Sequence, residues 1–276
     1  MPPDRNAAAL SGRPLLGRVI ARDQTIVALC IGGVVAIAWI WLLAAPPGGH
    51  AMDGAHAGTA MPSMAVEPWS AAYLGPAFAM WALMMVAMML PSAAPMILLY
   101  ARVAGGAGGQ GRAAPTSLFV LAYLGVWTFF AAAAAVAQAL LIDVGMIRAM
   151  ALAVGDGRLA GLLLLLAGLY QLSPLKQACL DQCRSPLSFI MRLSRPGVAG
   201  ALRLGIAHGL YCLGCCWALM LLLFVGGVMN LAWIAGLSLL VLAEKYVPPS
   251  LRIRSLLATA LVFAGALMIA RPELWP

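Results

Sequence analysis

The chain has 276 residues, 63% of them hydrophobic and only 9% charged, with 17 Lys or Arg against 9 Asp or Glu and a formal net charge of +8. A soluble protein is about a quarter charged, so this composition excludes an ordinary water-facing enzyme. It also excludes a disordered chain, which needs low hydrophobicity, and, with 6 Cys in the whole length, a disulfide-rich secreted module.

What remains is an all-α fold, a polytopic transmembrane helix bundle of about seven spans. A hydrocarbon core about 30 Å thick needs roughly 20 apolar helical residues, and the gaps between charges locate them. Residues 1–24 are a basic leader with Arg5, Arg13, Arg18 and Arg22. The first span is expected over 25–45; its apolar stretch exceeds a signal-peptide core of about 7–15 residues, so it reads as a retained helix. An outer loop follows over 46–72, and residues 73–271 form a six-helix membrane core. Spans two, three and four are predicted near 73–99, 117–142 and 152–172. A linker rich in Gly separates spans two and three at 105–111, and it lacks the Lys-Ser/Thr pair of a phosphate loop. A Cys-containing hairpin occupies 173–200. Between Arg203 and Glu244, 40 residues pass without a carboxylate, Lys or Arg, roughly 60 Å of helix at about 1.5 Å per residue. That length makes two spans, turned at Gly226, Gly227 and Asn230. The last span lies between Arg254 and Arg271.

Seven spans place the N-terminus in the cytoplasm, the C-terminus outside, and 14 of the 17 basic residues on the cytoplasmic side, as the positive-inside rule requires. A single span in the long run would leave 12 against 5. The expected setting is the inner membrane, multi-pass, with the lipid bilayer as the main partner. No basic run is interleaved with aromatic residues, so no nucleic-acid partner is expected.

Chemistry is concentrated in four clusters. The outer loop carries His50, Met52, His56, Met61 and Met64; thioether and imidazole together suit copper, since Met selects the soft monovalent ion and His accepts either oxidation state. In span two, Met80, Met84 and Met88 recur every four residues along one helix stripe; adaptable packing is the ordinary role of such a stripe. Pro91 and Pro95 each free a carbonyl one turn earlier, which marks an interior helix. In the hairpin, Ser173 and Pro174 start a short helix that Ser185-Pro186 ends, with Cys179 and Cys183 four apart on one face. In span five, His208, Cys212, Cys215 and Cys216 share an arc of about 100°. Three thiols within five positions, one turn from an intramembrane His, resist a packing explanation. The hairpin thiols lie on the same side of the membrane, so the two clusters are expected to form one site.

The motifs Met80-Trp81, Met84-Met85, Met88-Met89, Tyr170-Gln171, Pro174 to Lys176, Cys179 and Cys183-Arg184 resemble a bacterial family. His208-Gly209, Tyr211-Cys212, Gly214 to Trp217, Leu219-Met220, Met229-Asn230, Trp233 and Glu244-Lys245 carry the same resemblance, over residues 68–245. It is the family of predicted metal-binding integral membrane proteins, and the resemblance implies metal binding in a membrane. The outer loop lies beyond it.

The expected function is binding or translocation of a soft transition metal, Cu(I) foremost and Zn(II) second. The outer loop would capture the ion, the Met stripe would offer weak neutral ligands, and His208, Cys212, Cys215, Cys216, Cys179 and Cys183 would form the tight site, because a soft cation in low dielectric requires anionic, polarisable ligands. Tyr211, Asn230, Glu244 and Lys245 would support it. Glu244 is expected either to pair with Lys245 or to accept from His208. No ATPase motif is present, the pattern leans away from an enzyme, and a metallochaperone or metalloenzyme is the expected protein partner. Two alternatives use the same residues: a thiol–disulfide electron carrier, for which Cys212-Leu213-Gly214-Cys215 is formally a C-x-x-C, and a structural subunit of a membrane assembly.

Overall fold

A computed structural model of the chain describes residues 13–44, 67–104, 113–148, 152–247 and 252–275. The described residues form an all-α bundle. Its helices are α1 (Arg13–Ala44), α2 (Ala71–Val103), α3 (Ala113–Asp143), α4 (Gly157–Leu172), α5 (Pro174–Arg184) and α6 (Pro186–Leu193). They continue with α7 (Gly197–Leu221), the single turn α8 (Leu223–Gly226), α9 (Leu231–Tyr246) and α10 (Ile253–Ala270). A small antiparallel ribbon, β1 (Ile147–Arg148) and β2 (Ala153–Val154), sets Ile147 opposite Val154. Two residues per strand are too few for an alternation signal, and the sequence pattern does not reveal it.

Helix boundaries follow local chemistry. Asp156 Oδ1 accepts the amides of Arg158 and Leu159 at 2.6 and 3.2 Å and caps α4. Ser173 Oγ accepts the Lys176 amide at 3.1 Å, with Pro174 in the first turn of α5. The hairpin holds a second helix, α6, beyond the single one expected: Pro186 ends α5 but also supplies a fitting first residue for the next. Gly227 turns the chain with φ 91°, a region open to Gly, and Asn230 Oδ1 accepts the Trp233 amide at 3.2 Å to start α9.

By length and composition, α1 from Gln24, α2, α3, α7 with α8, and α10 can each cross a membrane. Helices α4 and α5 make a sixth candidate only as a pair bent by 64°. Both α4 and α9 have 16 residues, about 24 Å each at 1.5 Å per residue, short of a core of about 30 Å. Their ends explain the shortfall. Gln171 at the end of α4, and Glu244 and Lys245 at the end of α9, are all buried in the protein.

Helix α2 is the most enclosed of the long helices after α7, and its polar groups are answered internally, as a low-dielectric surround demands. Trp81 Nε1 donates to Gln138 Oε1 at 2.8 Å, and Gln138 Nε2 donates to Tyr73 Oη at 2.6 Å. The Pro91 carbonyl, left without its helical donor by Pro95, accepts from Tyr246 Oη at 3.1 Å. Helices α4 and α10 meet at bare backbone: a Cβ on Gly265 would lie 2.6 Å from the Leu165 nitrogen and 2.7 Å from the Gly161 oxygen.

Candidate metal centre

Five elements converge on one sulfur-rich point. Helix α7 brings Cys212, Cys215 and Cys216, all at most 2% exposed. It can approach α5 because Gly214 has no side chain; a Cβ there would sit 2.8 Å from Cys179 Sγ. Helix α5 also brings Cys183, which has Cys212 and Cys215 as neighbours. Helix α2 adds Met89, whose Sδ is 3.9 Å from Cys216 Sγ. The structure sets the hairpin thiols beside those of α7. All six cysteines are free thiols.

Cys212 is the hub. Its sulfur has Cys183, Cys215 and Cys216 around it, Tyr123 Oη at 3.2 Å and the Lys245 ammonium donating at 3.0 Å. Its carbonyl accepts the Cys215 and Cys216 thiols at 3.1 and 3.0 Å. The thiols therefore point inward to helix backbone, and among the described residues no three His, Cys, Asp or Glu side chains stand ready-placed around a metal position. Binding an ion would require Cys215 and Cys216 to exchange those weak bonds for coordination. Lys245 Nζ also donates to Ser92 Oγ at 2.8 Å, and Ser92 Oγ donates in turn to the Met89 carbonyl at 2.8 Å.

The Glu244–Lys245 pairing expected from sequence does not form. Successive helix positions are about 100° apart and cannot face each other. Glu244 turns instead to Lys176 Nζ at 2.7 Å and Gln171 Nε2 at 2.9 Å, and Arg184 Nε donates to the Glu244 carbonyl at 2.9 Å. Glu244 does not accept from His208 either. Both ring nitrogens of His208 lack a hydrogen-bond partner, although the residue is only 2% exposed. Its ring is held by aromatic faces, stacked at 6.0 Å on Phe119 and 5.5 Å on Tyr123, with Phe189 edge-on at 5.7 Å. An orphaned buried polar atom costs about 1–3 kcal/mol.

Other expected residues are placed as follows. Met80, Met84 and Met88 are buried in the main core, while the thioether that touches a thiol is Met89. Tyr211 packs edge-on against Phe189 at 5.7 Å. Asn230 is a helix cap at the opposite end of α9 from Lys245, a correction to its expected supporting role. His50, Met52, His56, Met61 and Met64 lie outside the described residues. Sequence reasoning missed Tyr123 and Ser92, and it quoted Gln171 and Lys176 in the family motifs without a role, although Lys176 is only 1% exposed.

Residues 78–268 match the family described as PpoB2, copper chaperone. The chain belongs to this copper chaperone family. The match runs from α2 into α10 and includes every thiol of the cluster and both of its lysines. Neither the curated proteins nor the solved structures contain a match to the chain. The family's description agrees with a soft-metal donor set of thiols and a thioether, names copper, and lends no support to zinc.

Proposed function

We propose that this protein is a multi-pass membrane protein of the inner membrane that binds Cu(I) as cargo at the thiol cluster and passes it to a metalloenzyme or metallochaperone. The observation that carries this reading is the convergence of the buried Cys212, Cys215 and Cys216 and the half-buried Cys183 with Met89 at one point reached from α2, α5 and α7. Thiolates hold a soft cation tightly, and the thioether offers a neutral, exchangeable ligand beside them. Cys179 over Gly214 and the partnerless His208, one turn before Cys212, are the next donors along the same side.

The arrangement of basic residues supports a cytoplasmic position for α5 and hence for this cluster. The Met80, Met84 and Met88 stripe would then extend the soft path toward the far side, where His50, Met52, His56, Met61 and Met64 would capture the ion. Binding and delivery, rather than catalysis, is the role these residues support.

The test is metal loading. The full chain, purified in detergent under anaerobic reducing conditions, should retain Cu(I) after removal of free metal, and a Cys212/Cys215/Cys216→Ser variant should not. Equal, near-zero copper in both proteins would overturn the reading.

A further inference from the structure

A cation already lies in the thiol cluster. Lys245 is 6% exposed, and its Nζ is fixed between Cys212 Sγ at 3.0 Å and Ser92 Oγ at 2.8 Å. Because Ser92 spends its proton on the Met89 carbonyl, its lone pairs face the ammonium. The adjacent carboxylate cannot serve Lys245, since both oxygens of Glu244 are committed to Gln171 and Lys176. Among the described residues the ion pairs are Lys176–Glu244 and Arg271–Glu273, and Lys245 belongs to neither. Its surroundings are Cys183, Cys212, Cys215 and Tyr123. A buried charge is tolerated only when compensated, and sulfur is the compensating partner the fold provides.

We infer that Lys245 is the selectivity residue of this site, a fixed positive charge that admits a monovalent soft ion and turns divalent ions away. This rests on the copper reading above and supplies what sulfur alone does not, because thiolates bind Zn(II) as readily as they bind soft monovalent ions. With the ammonium in place, two thiolates and one monovalent ion sum to zero charge. Two thiolates and a divalent ion leave one uncompensated positive charge, and the direct repulsion between ion and ammonium doubles. A third thiolate, from Cys183 of α5 or from α7, would restore the balance only by bringing three anionic sulfurs together around one buried ion. Lys245 acts here on charge balance without being a ligand.

The full chain in detergent is tested as wild type, Lys245→Met and Lys245→Arg, each equilibrated anaerobically with equimolar Cu(I) and Zn(II), and both bound metals are measured. Wild type and Lys245→Arg should hold copper and little zinc; Lys245→Met should raise the zinc-to-copper ratio by about ten-fold or more. Wild type alone is also offered Ag(I) and Cd(II), two soft ions of different charge, and should retain silver only, which keeps the proposal testable if Lys245→Met fails to fold. Cadmium held in the same amount as silver, or an unchanged zinc-to-copper ratio in a folded Lys245→Met protein, would overturn the selectivity role while leaving copper binding intact. A wild type that retains neither copper nor silver would overturn the copper reading itself.

Discussion

Lys176 Nζ and Glu244 Oε2 meet at 2.7 Å with side chains 1% and 2% exposed, so the pair that joins α5 to α9 is closed off from solvent. Removing one partner strands the other charge, and Lys176→Met or Glu244→Leu should each cost about 3–5 kcal/mol. The double variant Lys176→Met/Glu244→Leu should cost much less than the two single losses added together. Unfolding midpoints in detergent, arranged as a double-mutant cycle, measure this coupling.

His208 sits among Phe119, Tyr123 and Phe189 with neither nitrogen bonded. Phe at this position keeps the aromatic packing and removes two orphaned polar atoms at about 1–3 kcal/mol each. His208→Phe should therefore be at least as stable as the parent while retaining less Cu(I). Higher thermal stability with undiminished copper would assign His208 no part in binding.

Met89 places its thioether beside the thiols, with Sδ 3.9 Å from Cys216 Sγ. Met89→Leu conserves volume and should cost less than about 1.5 kcal/mol in stability. X-ray absorption of the copper-loaded variant should show one fewer sulfur neighbour than wild type. An identical sulfur count would remove Met89 from the coordination sphere.

Two glycines separate close packing from mere helix propensity. A Cβ on Gly265 meets the backbone of α4 at 2.6 and 2.7 Å, whereas nothing lies within 4 Å of one on Gly236. Gly265→Ala should destabilise by about 1–3 kcal/mol through overpacking. Gly236→Ala should be stabilising by roughly 0.5–1 kcal/mol, because Ala loses less backbone entropy in a helix. Thermal midpoints of the two variants should move in opposite directions.

Charge-free gaps were enough to place α1, α2, α3, α7 and α10, because a low-dielectric surround makes each charge a boundary mark. The three-thiol face of α7 was legible for a similar reason: helical period alone puts Cys212, Cys215 and Cys216 together. Pairings across helices were less accessible. The stripe through Met80, Met84 and Met88 has the right period, but period does not say which edge of α2 meets α7, and the contact falls on Met89. Tyr123 and Ser92 are single polar residues in apolar helices and leave no pattern to read. Glu244 and Lys245 look like partners on paper because they are neighbours in the chain, and the helix sends them to different ones.

That divergence at the end of α9 ties the whole assembly to its register. Glu244 reaches α4 and α5, Lys245 reaches α2 and α7, and the two directions differ by one step of the helical screw. Inserting or deleting one residue between Asn230 and Glu244 would rotate both by about 100°. An insertion would carry the acid round toward the sulfurs, and a deletion would carry the ammonium round toward Lys176, so either change sets one group against its own sign of charge and strips the other of its partners. The last turn of α9 therefore works as a phase mark, locking the arrangement of charge across four helices to the exact length of the fifth.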